Sequence, residues 1–397
     1  MIAVGRPEQV LAHAVETGAV PGVVALAADA RGVRFQGAFG RREVGQPAPM
    51  TLDTVFAIAS MTKPLTAVAA MQLVEQGRVT LDEPLGPYLP DLAAAQVLTG
   101  FDPTGAPRFR PPRRPISLRH LLTHTAGFAY PIWNGDMSRL QRHFGGAIPA
   151  EPPILVFDPG DRWEYGTNLG WAGQLVERLS RLSLEDYFRA RILDPLGMAD
   201  TSYLVGDPQV TRLAGQHSRQ ANGSLQPTPS APRRPATFNG GGGLYSTGPD
   251  YLRFLCMLLH DGQLDGARIL RPQTVAEMAR NQIGSLPAGV MTSASPQMSN
   301  DANFMSGVEQ RWGLAGLRNQ GDLLGRRRAG SWAWGGISNT YFWIDPTSRI
   351  AGVLLTQLLP FADHAVLDLL AHFEHAIYSA VPPTPAAGAP AGPPPAP

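Results

Sequence analysis

The sequence predicts an α/β chain of the α+β type: one antiparallel sheet built from both chain ends, flanked by terminal helices, with a large and mostly helical region inserted between its halves. Three observations predict it. Strand-like runs of alternating or β-branched residues concentrate near the two ends. The middle of the chain reads as short helices separated by Pro/Gly-rich loops. A helical segment opens the chain and another closes it.

Residues 8–17 read as a short helix. Residues 23–28 and 33–39, separated by Asp29-Ala30-Arg31-Gly32, read as a hairpin. Residues 55–59 are extended. The period then changes: Leu65, Val68, Ala69, Leu73 and Val74 recur at helical spacing, and Gly77 is a stop signal. Further helices are predicted at 118–122, 169–179, 184–192 and 251–259. Strands return at 311–317, 340–344 and 350–355, the last two joined across Asp345-Pro346-Thr347-Ser348-Arg349. Residues 365–378 form a closing amphipathic helix. The expected organisation is a sheet region of residues 1–55 with 308–381, an inserted helical region at 56–307, and a Pro/Ala-rich tail at 382–397. That tail carries 8 prolines in 16 residues, a composition that favours disorder.

Composition excludes several function classes. Of 397 residues, 44% are hydrophobic and 16% charged, and 33 basic residues balance 32 acidic ones. No long-range field gathers nucleic acid or an anionic membrane surface. A single cysteine, Cys256, rules out an internal disulfide framework and any multi-cysteine metal site. Residues 1–20 lack the unbroken apolar segment of a signal peptide, and no apolar run approaches the ~18 residues that span a bilayer. A cytoplasmic protein with no membrane partner is expected; composition leaves the oligomeric state open.

The 33 basic residues comprise 32 arginines and one lysine, Lys63. Where arginine serves nearly every surface position, a lysine survives best where arginine cannot replace it. An ammonium loses its proton when desolvated, and a guanidinium does not. Lys63 lies in Ser60-Met61-Thr62-Lys63-Pro64, where the extended segment meets the Leu65 helix. A spacing of three brings the Lys63 amine within reach of the Ser60 hydroxyl, and the start of a helix favours developing negative charge. With 19 serines in the chain, a serine falls three places before a given lysine about one time in twenty, so the motif draws its weight from involving the lone lysine.

Two further elements carry chemistry. Tyr165, in Asp158-Pro159-Gly160-Asp161-Arg162-Trp163-Glu164-Tyr165-Gly166-Thr167-Asn168, sits in a turn before a helix. A phenol beside an ammonium is driven toward phenolate and relays protons; a buried aromatic bonded to backbone is the plainer reading. In Trp332-Ala333-Trp334-Gly335-Gly336-Ile337, two glycines let a ligand approach backbone N–H groups, as an oxyanion site requires. His120 and His124 have zinc-compatible spacing but no adjacent glutamate and no third ligand, so a structural role is expected. Asn239-Gly240-Gly241-Gly242-Gly243 lacks the Lys and Ser/Thr of a phosphate loop and reads as a tight turn or cleft lining. The arginine runs at 108–114 and 326–328 read as solvated faces, with Arg328 able to meet an acidic substrate if it points inward.

Ser60-Met61-Thr62-Lys63-Pro64, His120-Leu121-Leu122-Thr123-His124-Thr125-Ala126-Gly127, Pro159-Gly160 with Trp163 and Tyr165, Asp194-Pro195-Leu196-Gly197-Met198 and Trp334-Gly335-Gly336 occur in the order seen in the serine β-lactamase and penicillin-binding-protein superfamily. The chain resembles that superfamily from about residue 8 to 380, and most of all its class C-like branch, the family VIII carboxylesterases. The resemblance implies a β-lactamase/transpeptidase-like fold. It implies Ser60 as nucleophile, Lys63 and Tyr165 as its proton-transfer partners, and an oxyanion hole from the backbone N–H groups of Ser60 and Ile337. Tyr130 matches a pocket tyrosine of these esterases, and Trp334 stands where β-lactamases carry a basic residue. That substitution, and a glycine rather than a polar residue directly after Tyr165, favour neutral esters over β-lactams.

The expected function is therefore a cofactor-free serine carboxylesterase acting on a small-molecule ester, short-chain or aromatic, through an acyl-enzyme on Ser60. Tyr130, Trp334, Gly335, Gly336, Phe128 and Phe238 are expected to bind substrate, with Trp133 and Trp332 on an apolar rim. The alternatives are a β-lactamase or D-alanyl peptidase/amidase, or an acyltransferase using the same acyl-enzyme. Whether Lys63 or Tyr165 is the base stays open at this level.

Overall fold

The structure, a computed structural model, describes residues 5–232 and 234–380. The tail expected at 382–397 lies outside the described residues.

Seven strands form the main sheet: β1 (Gly22–Asp29), β2 (Gly32–Gly40), β3 (Gln310–Trp312), β4 (Leu317–Asn319), β5 (Trp332–Gly336), β6 (Thr340–Asp345) and β7 (Ile350–Leu355). Their order is β3-β4-β5-β6-β7-β1-β2, antiparallel throughout. The N-terminal hairpin joins the C-terminal strands where β1 pairs β7, from Val24 opposite Leu355 to Asp29 opposite Ile350. An open antiparallel sheet and mixed helices match the β-lactamase/transpeptidase-like fold that the resemblance implies, and the described residues form no barrel.

Every residue of β1, β6 and β7 is buried, because both faces of the sheet are covered. Successive side chains of β6 show the two faces. Trp343 packs edge-on against Phe373 of the closing helix α5 (His364–Ala380), while Phe342 packs on Tyr251 of α4 (Gly248–Leu259). The opening helix α1 (Pro7–Glu16) lies alongside α5.

Residues 311–317, expected as one strand, form the ends of two. The Gly313 N–H bonds the Gly316 carbonyl at 3.0 Å and turns the chain back on itself. A Cβ at Gly313 would lie 2.4 Å from the Met278 carbonyl, so the turn is seated where only glycine fits. Among the described residues the helical reading also left out several small sheets, two of them three-stranded. Gln96–Phe101 pairs with Pro107–Arg110 and Ile154–Leu155; Gln216–Arg219 pairs with Leu225–Thr228 and Leu358–Leu359.

Within that region, α2 (Thr62–Glu75) is the central element. From Thr62 to Leu73 every residue is buried, so α2 is enclosed on all sides rather than along one stripe. This placement takes Lys63 out of water. Helix α3 (Asn168–Ser180) packs against α2 and closes on the glycine run: a Cβ at Gly173 would lie 3.0 Å from Gly240 backbone, and one at Gly240 would lie 2.4 Å from the Leu169 carbonyl. Among the described residues, no helix is long and apolar enough to cross a membrane.

Candidate active site

Ser60 lies in a single 3-10 turn, Ala59–Met61, directly before α2. Ala59 holds a left-handed φ of 46°, a costly conformation for a residue with a Cβ. Its surroundings enforce it. The Ile58 N–H donates to the Leu244 carbonyl at 3.0 Å, the Met61 N–H to the Ile58 carbonyl at 3.0 Å, and the Tyr251 hydroxyl to the Met61 carbonyl at 2.9 Å. On the opposite side, β5 presses against the same turn. An ideal Cβ on Gly336 would sit 2.4 Å from the Ile58 carbonyl, so the glycine lets the end of β5 meet the start of the Ser60 turn.

The Lys63 Nζ lies 3.0 Å from the Ser60 Oγ, 3.3 Å from the Tyr130 hydroxyl and 2.7 Å from the Gly241 carbonyl. Burial alone pulls its ammonium down to about 7, with no carboxylate offsetting the loss of water. A neutral amine fits these contacts: two N–H groups serve the Gly241 carbonyl and the Tyr130 oxygen, leaving the lone pair for the Ser60 hydroxyl proton. Gly241 belongs to the glycine run that the sequence marked as a turn or cleft lining. Its role as a lysine acceptor was missed; the run itself was the available signal.

Tyr165 turns its ring beneath the same amine, with Lys63 Nζ 4.9 Å from the ring centroid. Its hydroxyl accepts the indole N–H of Trp334 at 2.9 Å. Desolvation drives the phenol well above its usual range; contacts with Ser60 and Trp334 work in the opposite direction and are outweighed. The sequence raised the idea that a neighbouring ammonium would push Tyr165 toward phenolate. The structure pushes it the other way, because burial disfavours the charged phenolate.

A second layer holds Tyr165 in place. His124 is buried with a left-handed φ of 58°. Its Nδ1 accepts from the Gly166 N–H at 3.3 Å and the Asn168 amide at 3.0 Å, which marks the ring as neutral. Its ring lies 4.7 Å from that of Tyr165. Among the described residues no cluster of three or more His, Cys, Asp or Glu forms a metal site. Trp312, which the sequence did not single out, packs edge-on against Trp334 at 4.7 Å and against His124 at 5.1 Å. Upstream, Asp158 anchors the loop leading to Tyr165. It accepts from Arg110 at 2.6 and 2.9 Å and from the Arg113 N–H at 2.8 Å, and these bonds hold its carboxyl down at about 2. Part of the 108–114 arginine run is thus a tether rather than a solvated face.

The remaining expected residues divide. Tyr130 is in the cluster through Lys63, and Trp133 packs edge-on against both Tyr130 and Tyr165. Gly335 and Gly336 end β5 beside the Ser60 turn, and Ile337 follows directly. Phe128 stacks on Trp171, and Phe238 lies on Tyr203. Trp332 packs against Phe342. Arg328 pairs with Asp322 at 2.8 Å on the exposed side, so it does not point inward.

A buried helix with a serine in the turn before it and a dehydrated lysine in its first turn, laid against a sheet of this order, is the framework of the β-lactamase-fold serine enzymes, which work through an acyl-enzyme. The chain belongs to the Beta-lactamase family, whose profile matches residues 8–376. It is 37% identical over 397 aligned residues to monacolin J acid methylbutanoyltransferase of Aspergillus terreus, covering 94% of this chain and 95% of the relative. It is 33% identical to lovastatin esterase of Penicillium rubens, covering 92% and 96%. Unliganded simvastatin synthase from Aspergillus terreus superposes with a TM-score of 0.81 at 34% identity, covering 94% of this chain and 97% of that one.

Proposed function

We propose that the protein is an acyltransferase that moves a short acyl group from an ester donor to an alcohol on a small apolar acceptor, with Ser60 carrying the acyl group between them. The likeness to a methylbutanoyltransferase along almost the whole of both chains carries this reading. It favours the acyltransferase alternative over simple hydrolysis of short esters.

Neutral Lys63 takes the Ser60 proton as the hydroxyl attacks the donor carbonyl. Tyr165, protonated at neutral pH, gives its proton to the departing alkoxide and regains one through Lys63. As that phenol proton leaves, negative charge gathers on the Tyr165 oxygen, and the Trp334 N–H is already directed at it. The backbone N–H groups of Ser60 and Ile337 hold the tetrahedral oxyanion, a geometry supported by the approach of Gly336 to Ile58; each such donor is worth about 3 kcal/mol of barrier elsewhere. In the second half-reaction the acceptor alcohol repeats the sequence in reverse. Tyr130, Trp334, Gly335 and Gly336 border the acyl group, and Phe128 and Phe238 bind further along the substrate.

Hydrolysis is the second reading, favoured by the likeness to lovastatin esterase. Product analysis with p-nitrophenyl butyrate and a graded excess of a secondary alcohol separates the two. A transferase yields the butyrate ester in rising proportion to free butyrate as the alcohol increases. Free butyrate alone at every alcohol concentration, with normal turnover, makes the protein an esterase.

A further inference from the structure

A cavity of about 240 Å3 lies where the 303–306 segment, β5 and α5 meet. Its walls are largely apolar, including Leu317, Tyr341 and Leu370. Trp334 itself forms part of the wall, with Phe304 packed edge-on against it at 5.7 Å, so the cavity adjoins the catalytic cluster.

Asn303, Ser306, Arg326, Arg327 and Asp368 interrupt the apolar lining, and of these Arg327 is the buried one. Arg327 is only 4% exposed, and its Nη2 lies 2.6 Å from the carboxylate of fully buried Glu374. Its Nε and Nη1 have no hydrogen-bond partner. Arg326, also in the lining, lies 3.9 Å from the same carboxylate, and buried Asp345 faces Glu374 as a second acid, so the two guanidinium groups are balanced in charge while Arg327 keeps unused donors. Asp368 is the one acid among the lining residues, and it is exposed at the rim. A buried guanidinium with unused donors calls for an acceptor, and a carboxylate is its best match. The apolar walls call for a hydrocarbon body on that carboxylate. The volume is below the ~300–1,000 Å3 of drug-sized sites, so the body is small.

We propose that this cavity is a second binding site for a small amphipathic carboxylic acid, with the carboxylate on Arg327 and the apolar body against Phe304, Leu317 and Leu370. The site stands whether the enzyme transfers its acyl group to an alcohol or to water. Acids of this class include the products of ester hydrolysis, so the ligand is either a product of this enzyme or an unrelated acid.

Isothermal titration with 4-phenylbutyrate tests the site. Saturable one-to-one binding is expected, at least tenfold weaker for 4-phenylbutanol, which lacks the charge. Binding should persist in enzyme whose turnover has first been blocked by an organophosphonate ester. The double variant Arg327→Met/Glu374→Leu removes both buried charges together and should weaken binding at least tenfold. Ala371→Trp, on the cavity wall and outside the catalytic cluster, should fill the space, abolish binding and leave ester turnover intact. Butyrate in place of 4-phenylbutyrate separates the sources: comparable affinity points to the short product acid, and much weaker affinity to a larger one. Absence of saturable binding, equal affinity for acid and alcohol, or loss of binding on phosphonylation overturns the proposal. If the double variant does not fold, undiminished binding in Ala371→Trp overturns it alone.

Discussion

The indole N–H of Trp334 is bonded to the hydroxyl of Tyr165 at 2.9 Å, and this bond joins the main sheet to the loop that ends at α3. It leaves the phenol's own proton free for the Ser60 side of the cluster. Replacing Trp334 by Phe keeps a ring against Trp312 but removes the donor. Hydrogen bonds to charged groups are worth about 1.5–3 kcal/mol, so kcat should fall roughly 10- to 100-fold with KM little changed. Steady-state kinetics on p-nitrophenyl butyrate checks this. An unchanged kcat would mean that Tyr165 carries no charge in the rate-limiting step.

Lys63 sets the pH response. Its ammonium is pulled down to about 7, and the proposed base is the neutral amine, so kcat/KM should rise with pH through an apparent pKa near 7. Lys63→Arg keeps the charge and loses the titration; activity should drop at least ~1,000-fold, with no recovery up to pH 9. Wild-type-like turnover in that variant removes Lys63 as base.

The same burial costs stability. The folded state binds the Lys63 proton less tightly than the unfolded chain does, so the full cost is present below about pH 7 and fades as pH rises toward the unfolded value near 10.5. Lys63→Met should therefore gain stability relative to wild type as pH is lowered from 9 to 6. Urea unfolding at several pH values measures the difference; no trend with pH contradicts the burial argument.

Asp158 works in the opposite sense. Its carboxyl is held down at about 2 by Arg110 and Arg113, so its contribution is complete above the unfolded value near 3.8 and is lost as pH falls toward 2. Asp158→Asn should destabilise by about 1–3 kcal/mol at neutral pH and loosen the loop that carries Tyr165. Thermal melts at pH 7 and pH 3 should show a smaller difference at the lower pH.

Gly336→Ala places a methyl 2.4 Å from the Ile58 carbonyl. Overpacking of this kind costs about 1–3 kcal/mol, and here it also pushes β5 away from the Ser60 turn. Melting temperature and kcat should fall together; loss of stability with kcat preserved would detach β5 from the oxyanion site.

How much of this was legible in the sequence depended on distance along the chain. Ser60 and Lys63 are one helical turn apart, so local geometry exposed them, and the rarity of lysine singled them out. The hairpin strands β6 and β7 showed because two continuous apolar runs flank a turn. The two three-stranded sheets of the middle region did not show, because their strands are short and the third strand of each comes from far along the chain, as with Gln96–Phe101 and Ile154–Leu155. Burial was the other blind spot. Nothing local says that Tyr165 lies too deep to ionise easily, or that Arg327 is enclosed rather than solvated. The Gly241 carbonyl and Trp312 reach the cluster only through tertiary packing; a run of four glycines and a tryptophan beside a glycine were their traces.

The most direct measurement is the intact mass of the enzyme mixed rapidly with p-nitrophenyl butyrate and quenched in acid. The account predicts a gain of one butyryl group, located by peptide mapping on Ser60 and absent in Ser60→Ala, whose ester turnover should fall at least ~10,000-fold with the fold retained. A butyryl group on any other residue, or full turnover in Ser60→Ala, would contradict it.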